Sequence, residues 1–144
     1  MRVDFYQLSS DPAEVAIRKI AAKACDTGER MLVVSADDAQ LMRIGEALWA
    51  AETSFLAHGL AGDPHQDRQP ILLSDRADPA NGARLIALAD GVWRDEALGF
   101  DRVLLMFDSA TVEAARATWR ALDANEGVER AYWRQDGGRW IKAA

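Results

Sequence analysis

Cysteine is nearly absent: Cys25 is alone among 144 residues. No internal disulfide is therefore available, and Cys25 reads as a small helix side chain rather than a nucleophile. No apolar run approaches the ~20 residues that a membrane-spanning helix needs. The opening Met1-Arg2-Val3-Asp4-Phe5-Tyr6 carries an acid where a secretory leader would be apolar. The expectation is a cytoplasmic protein with no membrane partner. Histidine is almost as scarce, with His58 and His65 near Asp63 and Asp67 in a polar stretch. Loop histidines beside acids are usually solvated, so no metal is expected there. The glycine patterns that cradle phosphates are missing too. Gln7-Leu8-Ser9-Ser10-Asp11 stands where a G-x-G-x-x-G would follow the first strand, and there is no G-x-x-x-x-G-K-[ST]. No G-x-S-x-G elbow serves a hydrolase. No cofactor is expected.

Basic charge is in deficit. The chain holds 17 Lys and Arg against 23 Asp and Glu, a formal net charge of −6. Residues 1–111 carry that excess, with 11 basic against 18 acidic side chains, whereas residues 112–144 hold 6 against 5. An acidic body repels phosphate backbones, so DNA is expected as an indirect partner only. The locally basic end (Arg130, Arg134, Arg139 and Lys142) suits a short acidic peptide as well as it suits plain solvation.

Apolar residues make up 49% of the chain, and its length fits one domain, residues 1–144. Strand-like and helix-like periods alternate, which argues for α/β layers. Val3–Leu8 reads as a strand. Asp11-Pro12-Ala13-Glu14 then reads as a cap, a first-turn proline and a glutamate three residues after the cap. The helix that follows puts Ile17, Ile20, Ala21 and Ala24 on one face and stops at Gly28. Met31–Ser35 suits a buried strand. Asp37 caps a helix striped by Leu41, Ile44 and Leu48 that ends near Trp49-Ala50-Ala51. Residues 52–69 read as loop, then Pro70–Ser74 as a strand and Asp78–Gly82 as a turn. Arg84–Ala89 and Arg102–Phe107 are further strands. Thr111–Ala124 is a helix whose stripe is Val112, Ala115, Trp119 and Leu122. Glu129–Arg134 and Arg139–Ala143 flank a turn at Gln135-Asp136-Gly137-Gly138.

The catalytic alternative is a receiver-like or phosphohydrolase α/β enzyme using Asp37, Asp38 and Asp108, which follow strands and could meet at the carboxyl edge of a sheet. Helix capping accounts for Asp37 and Asp108 without any chemistry. No lysine ends a later strand to hold a phosphoryl group.

Tryptophan is abundant: five occur, and Trp49, Trp119, Trp133 and Trp140 lie at element ends or beside arginines. Tryptophan and arginine dominate the energetic centres of protein interfaces. On a 100° wheel Arg116 and Arg120 edge the stripe that carries Val112 and Trp119. That arrangement fits an apolar side chain flanked by carboxylates. On periodicity alone a core tryptophan with two solvated arginines fits somewhat better.

Several stretches, in order, resemble the chi subunit of bacterial DNA polymerase III. They are Phe5-Tyr6-Gln7-Leu8, Glu46-Ala47-Leu48-Trp49, the segment Ser54–Gly62, Gln69-Pro70-Ile71-Leu72-Leu73, Asn81-Gly82-Ala83, Phe107-Asp108, Ala114–Arg120 and Gly138–Lys142. Ala57 stands where the family usually has proline. The resemblance implies a three-layer Rossmann-like α/β domain with a mostly parallel sheet and no nucleotide site. It also implies a non-catalytic accessory subunit of the replicative polymerase, bridging the clamp loader, through psi, to single-stranded DNA-binding protein. The acidic C-terminal tail of that protein would dock on Val112, Arg116, Trp119 and Arg120, with Val112 replacing a lysine found elsewhere. The psi surface would carry over to Trp49, Phe55 and His58, and a repair helicase would share the Phe55 surface.

Overall fold

The computed structural model describes residues 1–50, 56–137 and 139–144. Phe55, one of the expected contact residues, lies outside the described residues. In chain order the elements are β1 (Arg2–Gln7), α1 (Ala13–Asp26), β2 (Met31–Val34), α2 (Asp38–Trp49), β3 (His58–Leu60), β4 (Ile71–Ser74), β5 (Leu85–Leu88), β6 (Arg102–Phe107), α3 (Val112–Leu122), β7 (Glu129–Asp136) and β8 (Arg139–Lys142). Short 3₁₀ turns sit at Gln66–Arg68 and Asp95–Gly99. Among the described residues the strands form one eight-stranded sheet in the order β3-β4-β2-β5-β6-β1-β7-β8. Every neighbouring pair is parallel except the β7–β8 hairpin.

The middle of the sheet is buried on both faces, which explains why β2, β4 and β5 read as unbroken apolar runs rather than alternating ones. One face packs Met31, Val33, Leu73 and Ala87 under the stripes of α1 and α2, Ile17 and Ala21 with Leu41, Ile44 and Leu48. The opposite face packs Phe5, Leu32, Val34, Leu105 and Phe107 under Ala115 and Leu122 of α3. Strand parity thus splits β1, with Tyr6 facing α1 and Phe5 facing α3.

Two buried polar groups tie strands together. Asp4, with no exposed surface, accepts from Arg2 Nε at 3.0 Å, Arg102 Nε at 2.8 Å and Trp133 Nε1 at 3.0 Å, linking β1 to β6 and β7. Burial pulls the Arg102 guanidinium down, but the Asp4 carboxylate outweighs it and holds it above its ordinary value. Asn81, also fully buried, donates to the carbonyls of Met31 and Gln69 and so locks the turn before β5.

Several sequence expectations shift. Pro12, not Asp11, is the N-cap of α1 and makes no side-chain cap bond. The Asp11 carboxylate instead accepts from Gln135 Nε2 at 2.8 Å, while Gln135 Oε1 takes the N–H groups of Ser9, Ser10 and Asp11. A β7 side chain therefore fixes the loop that leads into α1. Likewise Thr111 is the N-cap residue of α3. Asp108 orders the preceding turn, accepting from the N–H groups of Ala110 and Thr111 at 2.9 and 3.2 Å. Asp37 does cap α2, accepting from the Ala39 N–H at 3.0 Å. Within the stretch read as loop lies β3, a three-residue edge strand containing Gly59 and too short to show a period.

Candidate functional site: a groove beside the third helix

The amphipathic spacing of α3 lays Ala115 and Leu122 on the sheet and leaves Trp119 half-buried at the margin of that contact. Three aromatic rings from three strands meet the indole or each other there. Phe5 of β1 stands edge-on to Trp119 with ring centroids 5.1 Å apart. Tyr132 of β7 approaches the same indole at 6.2 Å, and Phe107 of β6 lies 5.7 Å from Tyr132. β1 pairs with both β6 and β7, placing Phe5 directly beside Leu105 and Tyr132 in register. The Tyr132 hydroxyl donates to Gln7 Oε1, which fixes the ring against β1.

These rings floor a groove of about 380 Å³, with Arg116 and Arg120 along its α3 side and Ala143 and Ala144 along the other. The terminal pair is held to β7 by a bulge, in which the N–H groups of Ala143 and Ala144 both bond the Tyr132 carbonyl at 2.7 and 3.4 Å and the Tyr132 N–H bonds the Ala144 carbonyl at 3.1 Å. Behind the indole, Arg130 places its guanidinium carbon 4.5 Å from the Trp119 ring centroid. It also donates to the Trp119 carbonyl at 2.6 Å and to Asp123 Oδ1 at 2.8 Å. Trp119 is thereby fixed by a cation–π contact as well as by packing.

Arg116 pairs with Glu113 at 2.8 Å, with both side chains largely exposed. Such a pair is weak and exchanges readily. Arg120 is exposed and makes no ion pair with another described residue. The site is therefore an apolar slot rimmed by two guanidiniums, one unpaired and one loosely held. Its chemistry suits a carboxylate attached to an apolar group. Of the residues expected from sequence, Arg116, Trp119 and Arg120 come together, whereas Val112 is absent from the groove lining and packs partly against the α3-side core. Phe5, Phe107, Ala143 and Ala144 join the site without a signal in the local sequence pattern, and Arg130 of the basic end enters behind the indole. For Tyr132 the alternation of β7 was the available signal, since it sets Arg130, Tyr132 and Arg134 on one face.

The second expected surface lies far along the sheet. Trp49 is 72% exposed at the end of α2, with its ring edge-on to His58 of β3 at 5.9 Å. His58 Nδ1 lies 3.0 Å from the Leu56 carbonyl. His65 is not beside it in any ligand cluster: among the described residues no three His, Cys, Asp or Glu side chains are grouped to hold a metal.

A larger cleft of about 890 Å³ opens at the carboxyl edge of the sheet, between α1, α2 and the ends of β5 and β6. It gathers Asp90 and Asp108 but neither Asp37 nor Asp38. Its rim holds Asp11, Glu14, Glu46, Asp90 and Asp108 against Arg43 alone, a balance that disfavours phosphate. The principal acids are already engaged, Glu14 with Arg43 at 2.9 Å and Asp90 with Arg94 at 2.9 Å. Burial opposes ionisation of Asp90, but the Arg94 guanidinium and the N–H groups of Ala36 and Val92 outweigh it and hold its carboxyl below the usual range. The Cys25 thiol, half-buried on α1, is pushed up by burial and by Asp26, away from the thiolate a nucleophile requires. Among the described residues no helix is long and apolar enough to cross a membrane.

Comparison with known proteins agrees with the resemblance read from sequence. The DNA polymerase III subunit chi of Escherichia coli K12 is 28% identical over 143 aligned residues, covering 90% of this chain and 97% of that protein. The family model described as DNA polymerase III chi subunit, HolC, matches residues 1–129, which take in the sheet through the start of β7, all three helices and the arginine-edged rim of the groove. The chain belongs to the DNA polymerase III chi subunit family.

Proposed function

We propose that this chain is a non-catalytic accessory subunit that joins the clamp loader to single-stranded DNA-binding protein, gripping the acidic C-terminal tail of the latter in the groove beside Trp119. The observation that carries this reading is the pairing of an aromatic floor (Phe5, Trp119, Tyr132) with two exposed guanidiniums at its rim, Arg120 without an ion pair among the described residues and Arg116 held only by an exposed Glu113. A tail ending in apolar residues and a free carboxylate would bury its last side chain on the rings and set its carboxylate against Arg116 and Arg120. Contact with so small a groove gives affinity near the micromolar range, about 8 kcal/mol. Several tails on one DNA-bound oligomer raise the working affinity by avidity. Because exposed arginines carry part of the attraction, binding weakens as salt rises.

The Trp49–His58 surface, at the opposite edge of the sheet from β7 and β8, is the proposed seat of psi, and a repair helicase would compete for it. Two separated faces suit a bridging role. The direct test is capture of full-length single-stranded DNA-binding protein, alongside a form lacking its last residues, by wild type, Arg116→Ala and Trp49→Ala. The expected pattern is loss with the truncated form and with Arg116→Ala only. Equal capture of both forms would refute the tail assignment.

A further inference from the structure

Beyond Tyr132, at the margin of the groove, the β7–β8 hairpin continues along the same strands. Cross-strand register places Arg134 opposite Ile141 and Asp136 opposite Arg139. Side chains alternate along a strand, so Arg134 shares the face of Tyr132, and its partner Ile141 shares it too. Trp133 and Trp140 occupy the other face, packed toward the α1 side of the core. Arg134, Arg139 and Ile141 are all exposed, and neither arginine forms an ion pair with another described residue. Apart from Asp136 at the hairpin tip, the strip is basic. The ends of α3 offer no such cations: Glu113 already holds Arg116, Asp123 already holds Arg130, and Asp108 and Glu126 add further acids.

We infer that the Arg134–Ile141–Arg139 face of the β7–β8 hairpin extends the groove and takes the acidic residues that precede the terminal apolar pair of a bound tail. The inference rests on the tail reading above and adds to it a direction of entry. An acidic chain leaving the groove meets cations without an ion-pair partner among the described residues along the hairpin, whereas the cations near the ends of α3 are already engaged. From Tyr132 to the level of Arg139 the ribbon advances four residues, about 14 Å at strand rise, so the strip accommodates roughly four extended residues upstream of the pocket.

The test uses two synthetic peptides from the partner's C-terminus, one of the last four residues and one of the last nine, titrated by calorimetry into the full chain. The expected result for Arg134→Glu with Arg139→Glu is a loss of about fivefold or more for the longer peptide and none for the shorter, consistent with two exposed ion pairs reversed in sign. Arg116→Ala weakens both. Both hairpin side chains are exposed, so the variant should fold, and Arg134→Gln with Arg139→Gln provides a milder second version. Unchanged affinity of the longer peptide, or equal losses for both, overturns the strip. Failure of both peptides to bind wild type overturns the tail reading itself.

Discussion

Replacing Arg116 isolates the rim charge with little disturbance to the fold. In the free protein its guanidinium contacts Glu113 at 2.8 Å, on side chains 60% and 79% exposed. An exposed i,i+3 pair of this kind contributes ~0.3–0.5 kcal/mol. A hydrogen bond to a ligand carboxylate contributes about 1.5–3 kcal/mol. Binding exchanges the first for the second, so Arg116→Ala should weaken tail affinity by about 1–2.5 kcal/mol, roughly 5- to 70-fold. Glu113→Gln removes the internal competitor and should tighten binding about twofold. Calorimetry with the tail peptide at two salt concentrations reads both effects, and circular dichroism checks folding. The salt dependence of Arg116→Ala should be shallower than that of wild type, because one screened contact is gone. Unchanged affinity in a folded Arg116→Ala protein, or weaker binding by Glu113→Gln, would refute the reasoning.

Three further outcomes follow from the fold. Asp4→Asn leaves Arg2, Arg102 and Trp133 around a neutral amide. It should cost about 2–4 kcal/mol and lower the melting temperature by roughly 5–15 °C in a calorimetric scan. Asp90, held below the usual carboxylate range, contributes stability that is fully present above its unfolded-state value near ~4 and is lost as pH falls through its lower folded-state value. Denaturant titration should therefore show the difference between wild type and Asp90→Asn shrinking as pH drops below about 4. Arg130→Ala removes the cation over Trp119 and the bond to its carbonyl. It should cost about 1–3 kcal/mol of stability, and Arg130→Lys should recover only part of it, since lysine lacks the planar fork.

How much was legible follows from where each cause lies. The buried strands announced themselves, because an unbroken apolar run such as Met31–Val34 is what a two-sided core demands. The α3 stripe and its arginine margin were readable from a 100° step, and the structure brings Arg116, Trp119 and Arg120 to one groove. What escaped depends on contacts distant in sequence. Gln135 binds the loop before α1 across 124 to 126 residues, so no local pattern could show that Asp11 is not the cap. Phe5 and Tyr132 become neighbours only through the pairing of β1 with β7, which crosses most of the chain. β3 is a strand because β4 offers it an edge, not because three residues prefer it. The wheel sets Val112 on the apolar stripe and the resemblance sets it in the tail site, yet it falls outside the groove lining and packs partly against the core, as a stripe residue does.

The central claim, that the groove beside Trp119 holds a free C-terminal carboxylate, is tested most directly by nuclear magnetic resonance. The Trp119 indole N–H resonance would be followed while two otherwise identical tail peptides are titrated, one ending in a carboxylate and one in an amide. The account predicts a saturable shift of that resonance with the free acid, and at least about tenfold weaker binding of the amide, as loss of a charged contact implies. Equal binding of the two peptides, or a Trp119 resonance that stays put while the peptide binds elsewhere, would contradict it.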